Sequence, residues 1–224
     1  MNLLSAIFRQ ECILCSSSLN RGENGICLKC LNSLPRTDFH LKKGSIAEQV
    51  FYGKAEIEKC ACYCYFKKGS DYRELIHRLK YNNERNLAVV LGEQFSKELC
   101  LSNWFDGIEA IVPVPIHYIK RVKRGYNQSE WLAKGISNET GIKVETKLLY
   151  KKNYHSSQTK KEHFERFINT LNTFNVSSSI AERYTHVLLV DDVLTSGSTI
   201  TACIDAIRIV SDMKISVLTL GFAE

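Results

Sequence analysis

Two adjacent carboxylates, Asp191 and Asp192, stand between an apolar run and a segment of small residues. The run Val187–Val190 is typical of a strand that is buried on both faces of a parallel sheet. Beyond the small residues, the apolar positions that recur at helical spacing are Ile200, Cys203, Ile204 and Ile207. The sequence therefore predicts a strand, a loop and a helix in that order, with both carboxylates where the strand ends.

The predicted loop has the composition of a phosphate site. Free backbone N–H groups and the helix dipole attract anions to the N-terminus of a helix. Small side chains let a phosphate approach that backbone, and the loop consists of Thr195, Ser196, Gly197, Ser198 and Thr199. The two carboxylates only accept hydrogen bonds, so they suit the vicinal hydroxyls of a sugar. The segment predicts a ribose 5-phosphate site, and the alternative is a doubly wound sheet whose aspartates only satisfy a turn.

A basic segment forms the second candidate for binding. It follows a strand predicted at Glu109–Val114, precedes a helix predicted at about Gln128–Ser137, and contains Lys120, Arg121, Lys123 and Arg124. Since parallel strands end at one edge of a sheet, we expect this loop to face the two aspartates. Its cations can neutralise a pyrophosphate, with Arg124 as a forked donor and Gly125 letting the backbone turn closely around the anion. A solvated basic loop is the alternative.

Four of the nine cysteines have the spacing of a metal site. Two Cys-x-x-Cys pairs are separated by eleven residues, and their members are Cys12, Cys15, Cys27 and Cys30. Such pairs complete a tetrahedral thiolate shell around zinc, and the turn-forming Asn20–Gly25 would bring them together. Disulfides are the alternative, against which a reducing compartment argues. A closed four-thiolate site is structural, so zinc is expected to fold the first ~45 residues.

The other cysteines are predicted to be core residues. Cys60, Cys62 and Cys64 alternate along a strand and would share one face, where a further metal cluster is the alternative. Cys100 and Cys203 lie on the apolar faces of predicted helices.

Length and composition fit one domain with a small appendage. The chain has 224 residues, 44% of them hydrophobic and 24% charged, and a net charge of +6, which favours acidic partners such as phosphorylated sugars or nucleic acid. No run of 18 apolar residues predicts a membrane span and no signal peptide is evident, so we expect a cytoplasmic protein without membrane insertion. Two helices are predicted between Tyr72 and Cys100, and further strands at Ile142–Tyr150 and Ile215–Leu220. Alternating strands and helices predict a parallel α/β sheet flanked by helices.

The segment VLLVDDVLTSGST resembles the signature of type I phosphoribosyltransferases, which bind phosphoribosyl pyrophosphate (PRPP) and magnesium. With CLKCLNSLP and PVPIHYIKRVKRGYNQ, nearly the whole chain is similar to the ComF/GntX family of competence-associated phosphoribosyltransferase-like proteins. The resemblance implies a zinc-finger module over residues 1–45 and a phosphoribosyltransferase-like domain over 46–224. It also implies that Asp191 and Asp192 hold the ribose 2- and 3-hydroxyls, that residues 195–199 hold the 5-phosphate, and that Lys120, Arg124 and Gly125 contact PRPP. Lys120 stands where related sequences often carry arginine.

A further stretch resembles the family through Gln158, Arg166 and Asn169. It lies where type I enzymes carry a mobile flap, so Gln158, Lys160, Lys161 and Arg166 would reach pyrophosphate on closure. A solvated basic helix is the alternative.

Three functional hypotheses result. The first is a phosphoribosyltransferase that displaces pyrophosphate from ribose C1 toward an unknown acceptor, and Thr195 in place of an aspartate argues against purine salvage. The second is a transformation factor that works with DNA-uptake or recombination proteins and binds single-stranded DNA through basic residues interleaved with Tyr118, Tyr126 and Trp131. The third is a PRPP sensor without catalysis.

Overall fold

A parallel β-sheet with helices on both faces organises the chain. The computed structural model describes residues 11–66, 72–81, 84–151 and 174–223. The strands are β1 Lys59–Phe66, β2 Ala110–Pro113, β3 Lys143–Val144, β4 Leu149–Lys151, β5 Phe174–Val176, β6 His186–Leu194 and β7 Lys214–Ala223. The helices are α1 Leu28–Asn32, α2 Ile46–Gln49, α3 Tyr72–Tyr81, α4 Arg85–Cys100, α5 Tyr118–Arg124, α6 Gln128–Thr140, α7 Ser178–Ala181 and α8 Ser198–Arg208, with a 3-10 turn at Phe39–Leu41.

The main sheet has the strand order β1-β7-β6-β2-β3, and all of its strand pairs are parallel. β6 therefore lies at its centre, between β2 and β7. Val187 and Leu189 pack in one hydrophobic cluster with α8, while Leu188 and Val190 pack in another with α3, α4 and α6. The continuous apolar run of β6 is explained by this burial on both faces, and the predicted parallel α/β architecture is confirmed.

Helices α4 and α6 cross closely on one face of the sheet. A Cβ atom on Gly92 of α4 would lie 2.5 Å from the carbonyl oxygen of Leu132 in α6, and one on Gly135 of α6 would meet the backbone of Val89 in α4. Because each helix has a glycine at the crossing, the two helix backbones come into close contact. This packing places the N-terminal end of α6 beside the end of β6.

The predicted strand Ile142–Tyr150 is wrong as a single element. β3 belongs to the main sheet, whereas β4 pairs antiparallel with β5 in a separate ribbon. The chain turns at Glu145, which is buried and whose carboxylate accepts hydrogen bonds from the Lys147 N–H (3.0 Å) and the Tyr184 hydroxyl (3.3 Å). A side-chain acceptor for a turn N–H interrupts the strand at that point.

Most of the remaining cysteines are core residues. Cys60, Cys62, Cys64 and Cys203 are all buried, as predicted. Cys60 and Cys62 pack in the cluster that contains α8, but Cys64 belongs to the other cluster, so the three do not share one environment. The prediction for Cys100 is wrong: it is exposed at the last position of α4, where the helix ends and leaves the core.

The N-terminal segment packs directly on the sheet domain. Cys12, Cys27 and Leu31 lie in the same hydrophobic cluster as α3 and α4. Arg36 ties the two regions together, because its guanidinium donates to the Glu98 carboxylate of α4 (3.0 Å) and to the Leu31 carbonyl (3.2 Å). The boundary near residue 45 stays a prediction. In the described part of the chain, no helix combines the length and hydrophobicity that crossing a bilayer requires.

Candidate functional site

The strand, the loop and the helix around the two aspartates form in the predicted order. Both carboxylates are half-buried and lie within β6, which continues past the predicted strand end to Leu194. The predicted loop is shorter in the structure, because Ser198 and Thr199 belong to the first turn of α8. The side chains of Thr195, Ser196, Ser198 and Thr199 are all exposed. The four apolar positions of α8 are buried and hold the helix against the sheet. The first N–H groups of α8 have no side-chain cap, so the loop keeps donors for an anion.

Gly197 is required by both its backbone and its surroundings. It precedes the first residue of α8 with φ 74°, in the left-handed region that favours glycine. A Cβ atom there would lie 2.7 Å from Cγ1 of Val50 and 3.2 Å from Cε1 of Phe51. The segment that follows α2 therefore packs directly against the loop between β6 and α8.

The carboxylate of Asp191 is held in a defined orientation. Its Oδ1 accepts a hydrogen bond from the Ser129 hydroxyl at 3.1 Å and one from the Asp192 N–H at 2.8 Å. Beneath it, burial raises the pKa of the Cys203 thiol well above its usual value, and the negative charge of Asp191 adds to that shift. Asp191 is thus oriented by neighbours before any ligand binds.

Asn127 and Ser129 are functional-site neighbours that the sequence reasoning missed. Asn127 is buried, and its side chain accepts a hydrogen bond from the Ser129 N–H (3.2 Å) while donating one to the Val114 carbonyl (3.0 Å). It therefore caps α6 and ties the start of that helix to the end of β2. An asparagine directly before a helical pattern was the signal that could have located this cap.

The basic segment is a helix, α5, so the prediction of a loop is wrong. The His117 ring caps its first turn by accepting from the Ile119 N–H (3.2 Å), and Gly125 ends it with φ 77°. Lysine and arginine are good helix formers, so capping at both ends is sufficient to order this stretch. The Gly125 carbonyl accepts a hydrogen bond from Arg85 at 3.3 Å.

Two arginines of α5 contact the first turn of α6. Arg121 lies 3.6 Å from the Glu130 carboxylate, and Arg124 donates to the Gln128 side chain at 3.1 Å. Ser129, which holds Asp191, lies between these two acceptors in sequence. The structure thus brings the basic segment and the aspartates to the same end of α6, as the sheet-edge argument predicted.

The aromatic residues of this region do not form one surface. Tyr126 is buried, its hydroxyl donates to the Leu79 carbonyl, and burial raises its pKa to about 12. Trp131 is half-buried, with Arg85 5.4 Å and Lys134 4.9 Å from its ring centroid. Tyr118 is 62% exposed. Tyr126 is therefore a core residue rather than a stacking platform for bases.

The four N-terminal cysteines form a cluster whose geometry could hold a metal ion. Their sulfurs all lie within 4.8 Å of one another, and the Sγ atoms of Cys15 and Cys27 are 3.7 Å apart. A disulfide requires about 2.0 Å, whereas sulfurs around a tetrahedral zinc with 2.3 Å bonds lie roughly 3.8 Å apart. Backbone N–H groups donate to the sulfurs of Cys12 (3.3 Å) and Cys27 (3.4 Å). In the ranges that the structure describes, this is the one group of cysteine, histidine and acidic side chains with such geometry.

Cys15 ionises more readily than Cys27 and Cys30, because its pKa is lowered and theirs are raised. Hydrogen bonds from Ser17 lower the pKa of Cys15 to about 6, while burial raises the pKa of Cys30. The donor set therefore fits zinc, which binds the thiolate form.

A family model for the phosphoribosyl transferase domain matches residues 86–220, more than half of the chain. The chain belongs to the phosphoribosyltransferase family. The match runs from α4 to β7 and includes the two aspartates, the loop and the basic helix. The predicted fold class is thereby confirmed.

Relatives extend the similarity beyond the region that the family model matches. Competence protein F of Haemophilus influenzae is 28% identical over 210 residues, which cover 86% of this chain and 88% of that protein. DNA utilization protein YhgH of Escherichia coli is 26% identical over 214 residues, covering 84% of this chain and 86% of that protein. The resemblance to the ComF/GntX family is confirmed.

One solved structure is also similar to this chain. It is the glutamine PRPP amidotransferase from B. subtilis, at 18% identity and a TM-score of 0.41, covering 59% of this chain and 25% of that one.

The stretch that resembles a flap lies outside the residues that the structure describes. Its named residues are Gln158, Lys160, Lys161, Arg166 and Asn169.

Proposed function

We propose that this chain binds PRPP and uses it as a ribose 5-phosphate donor. The observation that carries the proposal is the C-terminal part of β6, where two half-buried carboxylates precede an exposed hydroxyl-rich segment at the N-terminus of α8. In this assignment Asp191 and Asp192 accept hydrogen bonds from the ribose 2- and 3-hydroxyls. The loop residues Thr195, Ser196, Gly197, Ser198 and Thr199 bind the 5-phosphate through backbone N–H and hydroxyl donors.

Magnesium fits this donor set. Two adjacent carboxylates at a strand end, together with phosphate and sugar oxygens, are the hard ligands that Mg²⁺ prefers. When bound, the ion would neutralise charge that develops on the departing pyrophosphate. The aspartates would hold the ribose in place rather than attack it.

The pyrophosphate end is assigned to Lys120, Arg124 and Gly125. Two features support this placement: α5 follows β2, which is paired with β6, and Arg124 contacts the first turn of α6. Binding would require Arg124 to exchange its hydrogen bond with Gln128 for one with the ligand. The proposed reaction is attack by a nucleophile on ribose C1 with loss of pyrophosphate, and the acceptor is unassigned.

The names of the relatives connect this chemistry with DNA. One relative is named a competence protein and another a DNA utilization protein, so we propose a role in DNA uptake or use. The same proposal includes a structural zinc ion at Cys12, Cys15, Cys27 and Cys30. It also includes a reducing cytoplasm, in which these cysteines do not form disulfides.

Calorimetric titration with PRPP and magnesium tests the site. The double variant Asp191→Asn, Asp192→Asn should lose binding, because the amide side chains remove the paired negative charge that holds the ribose and the ion. The matched control is Asp205→Asn, a substitution on α8 beyond the loop. Release of pyrophosphate in the presence of amines and bases separates a transferase from a PRPP sensor. Wild-type affinity in the double variant would refute the proposed function.

Binding of single-stranded DNA is the second candidate, and α5 favours it. Tyr118 is 62% exposed on the same short helix as the exposed cations Arg121 and Lys123. An exposed ring next to cations can stack a base while the cations bind phosphates. Tyr118→Ala should weaken binding of an oligonucleotide and Tyr150→Ala, another exposed tyrosine, should not. The wild-type affinity must also fall steeply with salt.

A further inference from the structure

A lysine from outside the signature segment contacts the phosphate loop. Lys54 lies in the turn that follows α2, and its Nζ donates a hydrogen bond to the Ser196 carbonyl at 3.3 Å. The two residues are far apart in sequence, so this contact depends on how the N-terminal part of the chain packs on α8.

The position of Lys54 is determined by buried neighbours. Phe51 is 1% exposed, and its ring lies against Gly197 of the loop. The Phe51 carbonyl accepts hydrogen bonds from the N–H of Lys54 (2.9 Å) and of Ala55 (3.0 Å). Because Phe51 packs on the loop and anchors the turn, the Lys54 backbone is held at a defined place beside Ser196.

The loop needs a cation that its own sequence does not provide. None of its residues, from Thr195 to Thr199, carries a charge. A phosphate monoester carries close to two negative charges at neutral pH, whereas a helix N-terminus offers only about half a positive charge. The ammonium of an exposed lysine on a flexible four-carbon stem can supply the missing charge.

We propose that Lys54 is a further ligand of the 5-phosphate, an assignment that rests on the proposed function of the loop. On binding, the ammonium exchanges the Ser196 carbonyl for a phosphate oxygen held within the same turn. The N-terminal segment thereby contributes directly to the site, although it lies outside the region that the family model matches.

Titration of the full chain with ribose 5-phosphate and with PRPP, each with magnesium, tests this assignment. Lys54→Gln should weaken the binding of both ligands by the same factor, about 10- to 100-fold, as expected for the loss of one charge-assisted hydrogen bond. Lys54→Arg should restore most of the affinity, because the charge remains. Lys43→Gln is the matched control, since it removes an exposed charge of the same N-terminal segment. The thermal midpoint of Lys54→Gln should equal that of the wild type.

The outcomes separate this inference from the proposed function. If the wild type binds both ligands and Lys54→Gln binds them equally well, the Lys54 assignment is wrong while the proposed function stands. If only PRPP binding weakens, Lys54 contacts the pyrophosphate end and the assignment to the 5-phosphate is wrong. If the wild type binds neither ligand, the proposed function itself fails.

Discussion

Substitution of Gly197 by alanine tests the geometry of the proposed phosphate-binding loop most directly. Two costs add at this position. The left-handed backbone, with φ 74°, costs an alanine about 1–2 kcal/mol. The new Cβ atom would also lie 2.7 Å from Cγ1 of Val50, and relieving such an overlap in a packed region costs roughly 1–3 kcal/mol.

The glycine that ends α6 is a matched control. Gly141 has φ 73°, almost the same backbone, but a Cβ atom there would have nothing within 4 Å. Gly141→Ala should therefore show only the backbone cost of about 1–2 kcal/mol. The difference in the free energy of unfolding between the two variants therefore measures the cost of the overlap between the new Cβ atom and Val50.

Urea unfolding of both variants measures these costs in stability, and titration with PRPP measures the effect of each substitution on ligand affinity. We expect Gly197→Ala to lose about 2–5 kcal/mol, the sum of the two costs, and to bind PRPP poorly because the first turn of α8 must shift. The double variant Val50→Ala, Gly197→Ala should recover part of the additional loss, since it removes the methyl group that the new Cβ meets. Equal stability of Gly197→Ala and Gly141→Ala would refute the packing of the N-terminal segment on the loop.

Three further predictions follow from the contacts around the site. Ser129→Ala should weaken PRPP binding about 5- to 30-fold, because Asp191 loses a neutral donor to its carboxylate; calorimetry with Ser137→Ala as control measures this, and unchanged affinity would contradict the orienting role. Arg36→Met should destabilise the chain by about 1–3 kcal/mol in urea unfolding, because the hydrogen bonds to Glu98 and to the N-terminal segment are lost. Zinc affinity should fall as the pH is lowered, since the metal binds the thiolate form and protons compete with it for the four sulfurs. Competition with a chelator at neutral and at mildly acidic pH measures this change, and equal affinity at the two pH values would contradict it.

The chemistry-bearing segments were predictable because each is local. The order of strand, aspartates, small loop and helix occupies one continuous stretch of sequence, so hydrophobic period and residue size were sufficient to locate it. The two Cys-x-x-Cys pairs are also local, and metal geometry restricts their arrangement. The helical spacing of apolar residues also predicted α3, α4 and α6.

Some elements were mispredicted because packing or capping decided them. The basic stretch forms α5 since His117 and Gly125 cap it, a local signal that charge alone obscured. The strand at Ile142–Tyr150 divides because the Glu145 carboxylate satisfies a turn N–H. Cys100 is exposed because α4 ends at that residue, and helical spacing does not show where a helix leaves the core.

By itself the sequence determined the chemical groups of the site, the family, and the parallel α/β architecture. Only the tertiary structure decided which distant side chains complete the site: Ser129 on Asp191, Lys54 on Ser196, and Val50 against Gly197. Periodicity records which face of an element is apolar, but it carries no information about the partner that the face meets. Those contacts join residues far apart in the chain, and they exist only once α6 and the segment after α2 have packed beside β6 and the loop before α8.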